Sequence, residues 1–238
     1  MAPPKRALIA ISSAHAPLYP DGKETGLFIT EALHPYEVFE KAGFEVDLAS
    51  ETGTYSPDWL STTEDWLKPD ERKIYEDHSS GFRSKLDKLH KASDLNSKDY
   101  GIFFASAGHA SLIDYPDAKD LQKIASDIWA EGGVVSAVCH GGAIFKGIKD
   151  KDGKPIIAGK NVTGFTTKGE EEEGVLDTIK SWNRPTIEAS AKDLGANYVS
   201  PAGPWDDFTQ TDGNLVTGAN PASATSTAKA AVAVWEKL

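Results

Sequence analysis

Short apolar runs alternate along the chain with amphipathic segments. The runs are Ala7–Ile11, Phe44–Leu48, Tyr100–Ala105, Val134–Val138, Val162–Phe165 and Tyr198–Ser200. Continuous apolar strands separated by helical patterns predict a parallel sheet covered on both faces. The clearest helical pattern spans Asp117–Gly133. There Leu121, Ile124, Ala125, Ile128 and Trp129 fall at i, i+3, i+4, i+7 and i+8 and build one apolar stripe. Gly132 and Gly133 end it. Near the C-terminus, Asp206–Gly218 reads as a hairpin with Asp212-Gly213 at its turn, and the alanine-rich Ser223–Trp235 as a closing helix.

Residues 52–98 break this rhythm. The stretch is rich in Asp, Glu, Lys and Ser, has few apolar residues, and carries Pro57, Trp59, Trp66 and Pro69. It reads as an insertion packed over the sheet, with short helices such as Arg83–His90; the tryptophans argue against disorder. A chain of 238 residues suits one domain, 1–238, with that insertion. Lysines and arginines number 25 against 36 aspartates and glutamates, a formal charge of −11. That sign disfavours nucleic acid and anionic membrane surfaces as partners. No apolar run is long enough to span a bilayer. Met1–Arg6 is basic, but the apolar run after it is broken by Ser12 and Ser13, so it reads as a first strand and not as a signal peptide. A lone cysteine forms no internal disulfide and suits a reducing compartment, so a cytoplasmic protein is expected.

That cysteine, Cys139, follows the strand Val134–Val138 and precedes Ala143–Gly147, which starts a short helix. Gly141 and Gly142 lie where a sharp turn needs unusual dihedrals or close backbone approach. A strand-to-helix turn of this kind exposes a nucleophile at the carboxyl end of a sheet. A helix start lowers a thiol pKa, and free amides can hold an oxyanion. A small buried core residue is the alternative, and the local pattern leaves both open. The run Phe103–Ala110 is a second strand entering a small-residue turn, either a source of amides at the sheet edge or compact packing; on the run alone the packing reading is favoured. Glu31 lies in the apolar segment Leu27–Leu33, either exposed on a helix face or buried for a purpose; on the pattern alone the exposed reading is favoured. Glu170–Glu173 suits a solvated helix start, where at most one carboxylate would orient a histidine. The six histidines, His15, His34, His78, His90, His109 and His140, show no metal-ligand spacing with cysteine. No phosphate loop or dinucleotide fingerprint is present.

Taken together, Ala137-Val138-Cys139-His140-Gly141, the upstream Ala105–His109 turn and the early Glu31 resemble the ThiJ/PfpI superfamily. More narrowly, the chain is similar to the fungal heat-shock chaperone and glutathione-independent glyoxalase (glyoxalase III) branch. Thr30–Pro35, Asp114-Tyr115-Pro116, Gly164-Phe165-Thr166, Gly203–Asp207 and Val216–Ser223 all fit it. The resemblance covers essentially the whole chain. It implies a flavodoxin-like three-layer α/β sandwich, a homodimer and no cofactor. By the same resemblance Cys139 is the nucleophile, His140 the acid/base, Glu170 the acidic member of the triad and Glu31 the carboxylate at the sulfur. The Gly108 amide joins that of His140 in the oxyanion hole. The family commonly has proline where this chain has Gly142.

The implied reaction takes methylglyoxal or glyoxal as substrate and converts methylglyoxal and water to lactate through a hemithioacetal on Cys139. Three rivals use the same residues differently. A stress chaperone would hold unfolded clients and use Cys139 as an oxidation sensor. A peptidase or amidotransferase would turn the nucleophile on an amide, and a deglycase would repair glycated proteins.

Overall fold

The computed structural model describes residues 3–238. Met1 and Ala2, at the start of the expected domain and of its basic N-terminus, lie outside the described residues. Seven strands form the main sheet: β1 (Arg6–Ile11), β2 (Glu45–Ser50), β3 (His90–Lys91), β4 (Ile102–Ala105), β5 (Val134–Val138), β6 (Thr209–Asp212) and β7 (Leu215–Gly218). Their order is β6-β7-β5-β4-β1-β2-β3. Every pairing is parallel except that of β6 with β7. This is the expected flavodoxin-like, mostly parallel α/β sandwich: β2-β1-β4-β5-β7 is the doubly wound order, and the strand order reverses between β1 and β4.

Burial on both faces explains the unbroken apolar runs. Ala7, Ile9, Ile11, Phe104, Val138 and Val216 face α1 (Ile29–Lys41) and α4 (Ala224–Trp235). Leu8, Ala10, Phe103, Val135, Ala137 and Leu215 face α2 (Lys119–Ala130) and the loops beyond it. The predicted stripe of α2 is buried at Leu121, Ile124, Ala125 and Ile128, with Trp129 half-buried. The Glu51 carboxylate accepts the Asp120 and Leu121 amides at 3.0 and 3.1 Å and so satisfies the first turn. At the other end Gly132 takes φ 79°, and the Gly133 amide returns to the Ile128 carbonyl at 2.8 Å.

Three local expectations are corrected. Val162–Phe165 and Tyr198–Ser200 do not join the main sheet; only Asn161–Val162 and Asn197–Tyr198 pair, as a separate two-residue ladder. The hairpin exists, but Asp212 pairs with Leu215, so its two-residue turn is Gly213-Asn214 and not Asp212-Gly213. The polar stretch 52–98 holds helices Pro69–Glu76 and Gly81–Asp87. The second begins two residues before the predicted start and ends at Asp87, with Ser80 as its cap accepting the Arg83 amide at 3.1 Å. Leu67, Phe82 and Leu86 from this stretch are buried on the α1 face. Among the described residues no helix is long and apolar enough to cross a membrane.

Candidate active site

The carboxyl ends of β1, β4 and β5 lie level, with Ala10 opposite Ala105 and Ala105 opposite Ala137. The turns leaving these strands therefore meet at one edge, beside the point where the strand order reverses. Cys139 leaves β5 there with φ 56°, a left-handed conformation that a non-glycine residue adopts at a cost of about 1–2 kcal/mol. The strain falls on the cysteine itself and not on the glycines after it: neither Gly141 nor Gly142 has positive φ. Gly141 is needed for space, because a Cβ there would collide with the Ala105 carbonyl. Gly142 is not needed for space. A Cβ there meets Ile187 at an ordinary 3.4 Å, so the place the family often gives to proline accommodates a Cβ. The segment Cys139–Lys146 continues as 3-10 turns.

His140 is fully buried beside the cysteine, its Nδ1 3.2 Å from Cys139 Sγ. Its Nε2 lies 2.7 Å from Oε1 of Glu170. A carboxylate only accepts, so Nε2 carries the proton and a neutral His140 presents its Nδ1 lone pair to the thiol. Glu170 stands in α3 (Thr167–Glu172), whose cap Thr166 accepts the Gly169 amide at 2.9 Å. Glu170 is fully buried, whereas Glu171 and Glu172 are exposed, so one member of the acidic run turns inward, as the sequence allowed.

The second oxygen of Glu170 is held by a residue that the sequence reading gave no role. Nε2 of His109 donates to Oε2 at 2.8 Å and lies 3.4 Å from Glu173. The two imidazoles are 4.1 Å apart, centre to centre. Only the strand-end position of His109 hinted at this; nothing in residue spacing shows that the turn after β4 adjoins the turn after β5. Burial opposes protonation of His109, but Glu170 and Glu173 outweigh it and raise its pKa to about 9. Burial and the His109 cation push His140 down to about 4. Burial would raise Glu170, but the two histidines outweigh it and hold the carboxyl at about 2. Ligand-type atoms of His109, His140 and Glu170 lie within 4.8 Å of one another, but the three are spent on one another.

Glu31, in the first turn of α1, is fully buried, contrary to the surface reading favoured on pattern alone. The Phe28 amide donates to the Ala107 carbonyl at 2.7 Å and ties the start of α1 to the turn after β4. Cys139 and the Ala107 backbone face the carboxyl, yet neither oxygen has a hydrogen bond of sound geometry. Burial raises its pKa to about 8, so at neutral pH the carboxyl keeps its proton. Cys139 is also buried, at 4% exposure, and not partly exposed as expected. Burial pushes its thiol up, an ionised Glu31 would push it further, and the His140 amide opposes both. The lowering expected from the helix start is thus outweighed by desolvation. At neutral pH the protonated Glu31 adds no negative charge beside the sulfur.

Glu31 therefore carries a stability prediction. Its folded pKa lies above the ordinary 4.5, so the folded state holds a proton that the unfolded state releases, and stability falls as pH rises from 4.5 to about 8. Glu31→Gln removes that fall. The unfolding free energy of the variant minus that of wild type should rise across this window, by up to about 1.4 kcal/mol per pH unit. Thermal melts at pH 5 and pH 8 check it.

Gly108 must be glycine because a Cβ there would strike the Gly26 carbonyl. Aromatic rings wall the site. Phe165 lies 4.7 Å from His140 and 5.4 Å from Trp205, and Trp205 is 6.2 Å from Trp66. Trp66 comes from the polar stretch and packs edge-on to Phe28, next to α1.

No protein-family model matches the chain. Over 232 residues it is 52% identical to glyoxalase 3 of Candida albicans, which covers 97% of this chain and 98% of that protein. The chain belongs to the fungal glutathione-independent glyoxalase family. A second member, the glutathione-independent glyoxalase HSP31 of Saccharomyces cerevisiae, is 52% identical over 226 residues, 94% of this chain and 95% of that one. The crystal structure of glyoxalase III from Candida albicans superposes with a TM-score of 0.95 at 51% identity, over 98% of both chains. A ThiJ/PfpI domain protein from Brachyspira murdochii, at 17% identity and a TM-score of 0.63 over 100% of this chain and 99% of that one, shares the fold.

Proposed function

We propose that the protein is a glutathione-independent glyoxalase that converts methylglyoxal and water to lactate on Cys139. The hydrogen-bonded chain Cys139 Sγ–His140 Nδ1–His140 Nε2–Glu170 carries this reading, and family membership supports it. As the sulfur attacks the aldehyde carbon, its proton passes to His140 Nδ1. The new oxyanion is met by the His140 and Gly108 amides. His140 returns the thiol proton to the oxyanion, which gives the neutral hemithioacetal. Its freed Nδ1 then takes the proton of the former aldehyde carbon and passes it to the neighbouring carbonyl oxygen to form an enediol. The enediol hydroxyl on the sulfur-bearing carbon gives its proton back through His140 to the neighbouring carbon, which leaves a lactoyl thioester. Water hydrolyses the thioester, releases lactate and returns the thiol. Glu170 fixes the imidazole and balances its transient charge. Glu31, protonated, donates to the sulfur or to the substrate oxygen.

A buried sulfur behind aromatic walls favours a small dicarbonyl over a peptide. Purified protein supplied with methylglyoxal and no thiol cofactor should form lactate stoichiometrically with substrate consumed. Methylglyoxal loss without lactate would overturn the reading, whereas ammonia or peptide release from amide substrates would favour the amidase alternative. A homodimer and a cytoplasmic setting complete the proposal. Sedimentation at micromolar concentration checks the dimer.

A further inference from the structure

We propose that His109 is a positioning residue of this reaction. It holds one oxygen of Glu170 and stacks on the His140 ring, and so leaves His140 neutral, with its Nδ1 lone pair on the thiol. The proposal rests on the reading that Cys139, His140 and Glu170 do the chemistry, and it adds a residue that acts on them only by positioning.

The geometry divides the labour between the two imidazoles. Each gives its Nε2 to a different oxygen of one carboxylate, at 2.7 and 2.8 Å. With both oxygens held, Glu170 cannot swing away from His140. The two histidines nevertheless differ in company. His109 Nε2 lies between two carboxylates, with Glu173 at 3.4 Å, whereas His140 meets one carboxylate and a thiol. A single proton shared by the pair therefore settles on His109. Two cations with centroids 4.1 Å apart repel, so a charged His109 keeps the second proton off His140.

The groups facing His109 come from every element around it. Glu170 and Glu173 come from α3 and the residue after it, and His140 from the cysteine turn. Asp58 comes from the polar stretch and Glu31 from α1. Phe165 packs edge-on at 5.7 Å and excludes water from the stack. Glu31 is protonated at neutral pH, so Glu170, Glu173 and Asp58 are the anions that hold the His109 cation. Without that cation, His140 would face Glu170 alone and would protonate at higher pH. A protonated His140 has no lone pair for the thiol, and turnover would stop.

The test is His109→Gln, which keeps an N–H for Glu170 and removes the charge. The profile of kcat/KM against pH for methylglyoxal reports the free enzyme. Wild type is expected to stay active down to about pH 5, whereas the acid limb of the variant should move up by about one pH unit or more. Activity at pH 8 should stay within about tenfold of wild type. A purely structural role would lower the whole profile without moving its limb, and that result overturns the proposal. Nitrogen NMR of histidine-labelled wild type at pH 7.5 gives a second reading that does not depend on the variant folding. Both ring nitrogens of His109 should be protonated while Nδ1 of His140 is bare; a neutral His109 or a protonated His140 overturns the proposal. Full activity in Cys139→Ala would instead sink the catalytic reading on which the proposal rests. An inactive Cys139→Ala beside an unmoved His109→Gln profile would sink this proposal alone.

Discussion

Cys139→Ala should fold, melt within a few degrees of wild type, and form no lactate from methylglyoxal above the uncatalysed rate. The expected loss in kcat/KM is about 10³-fold or more, the scale seen when a covalent nucleophile is removed. Cys139 is the only cysteine in the chain, so no neighbouring thiol can take over. The substitution also separates chemistry from folding. Alanine keeps a Cβ, so the left-handed backbone at φ 56° is as strained in the variant as in wild type. The buried thiol makes few hydrogen bonds worth preserving, and its removal should change stability by about 1 kcal/mol. Cys139→Gly is the informative companion. It is equally inactive, and it releases the steric penalty of that dihedral, worth about 1–2 kcal/mol, against the entropy that glycine adds to the unfolded chain. Lactate formation by Cys139→Ala at the wild-type rate would move the nucleophile elsewhere and end the proposed mechanism.

The parts that sequence patterning reached share one physical origin. β1, β2, β4 and β5 are buried on both faces, and continuous burial leaves an unbroken apolar run to read. The same signal misled at Val162–Phe165, where apolar residues are buried as a loop. There the Thr163 amide is satisfied by the Thr217 hydroxyl at 2.9 Å instead of by a strand, and Gly164 passes too close to Ile187 for a side chain. The Cys139 turn was legible because strand, nucleophile and glycines are contiguous. Glu31 was not, because α1 is covered by the sheet and α4 and also by the polar stretch, so helical periodicity alone did not say which faces were wet. Resemblance to the family pointed to Glu31 and Glu170. His109 stayed hidden: its partner Glu170 is 61 residues away, and only the sheet order brings the two together.

Glu170→Ala should produce the second large effect, and it should strike stability and activity together. The carboxylate is the shared acceptor of two buried imidazoles, so its removal strands two N–H groups and, at neutral pH, the His109 cation. Breaking a buried pair by deleting one partner costs about 3–5 kcal/mol. The loss has a pH signature. The folded Glu170 pKa is depressed to about 2 from an ordinary 4.5, so its contribution is fully present above 4.5 and disappears as pH falls toward 2. His109 is raised to about 9 from an ordinary 6.5, so the contribution of its cation is present below 6.5 and is lost as pH rises through 9. His140 acts in the opposite sense, since its depressed pKa, about 4, weakens wild type as pH falls from 6.5. Burial causes most of that depression and persists in the variant, so it largely cancels in the difference. The stability gap between wild type and Glu170→Ala should therefore be widest between about pH 4.5 and 6.5 and should narrow on both sides. Denaturant melts at pH 3, 5.5 and 9 measure it. A gap that does not vary with pH would mean that Glu170 acts by packing alone. Lactate formation should fall by about 10³-fold even at pH 5.5 in cold buffer where the variant is folded, because His140 then has nothing to fix its tautomer or to balance the charge it gains in the transition state.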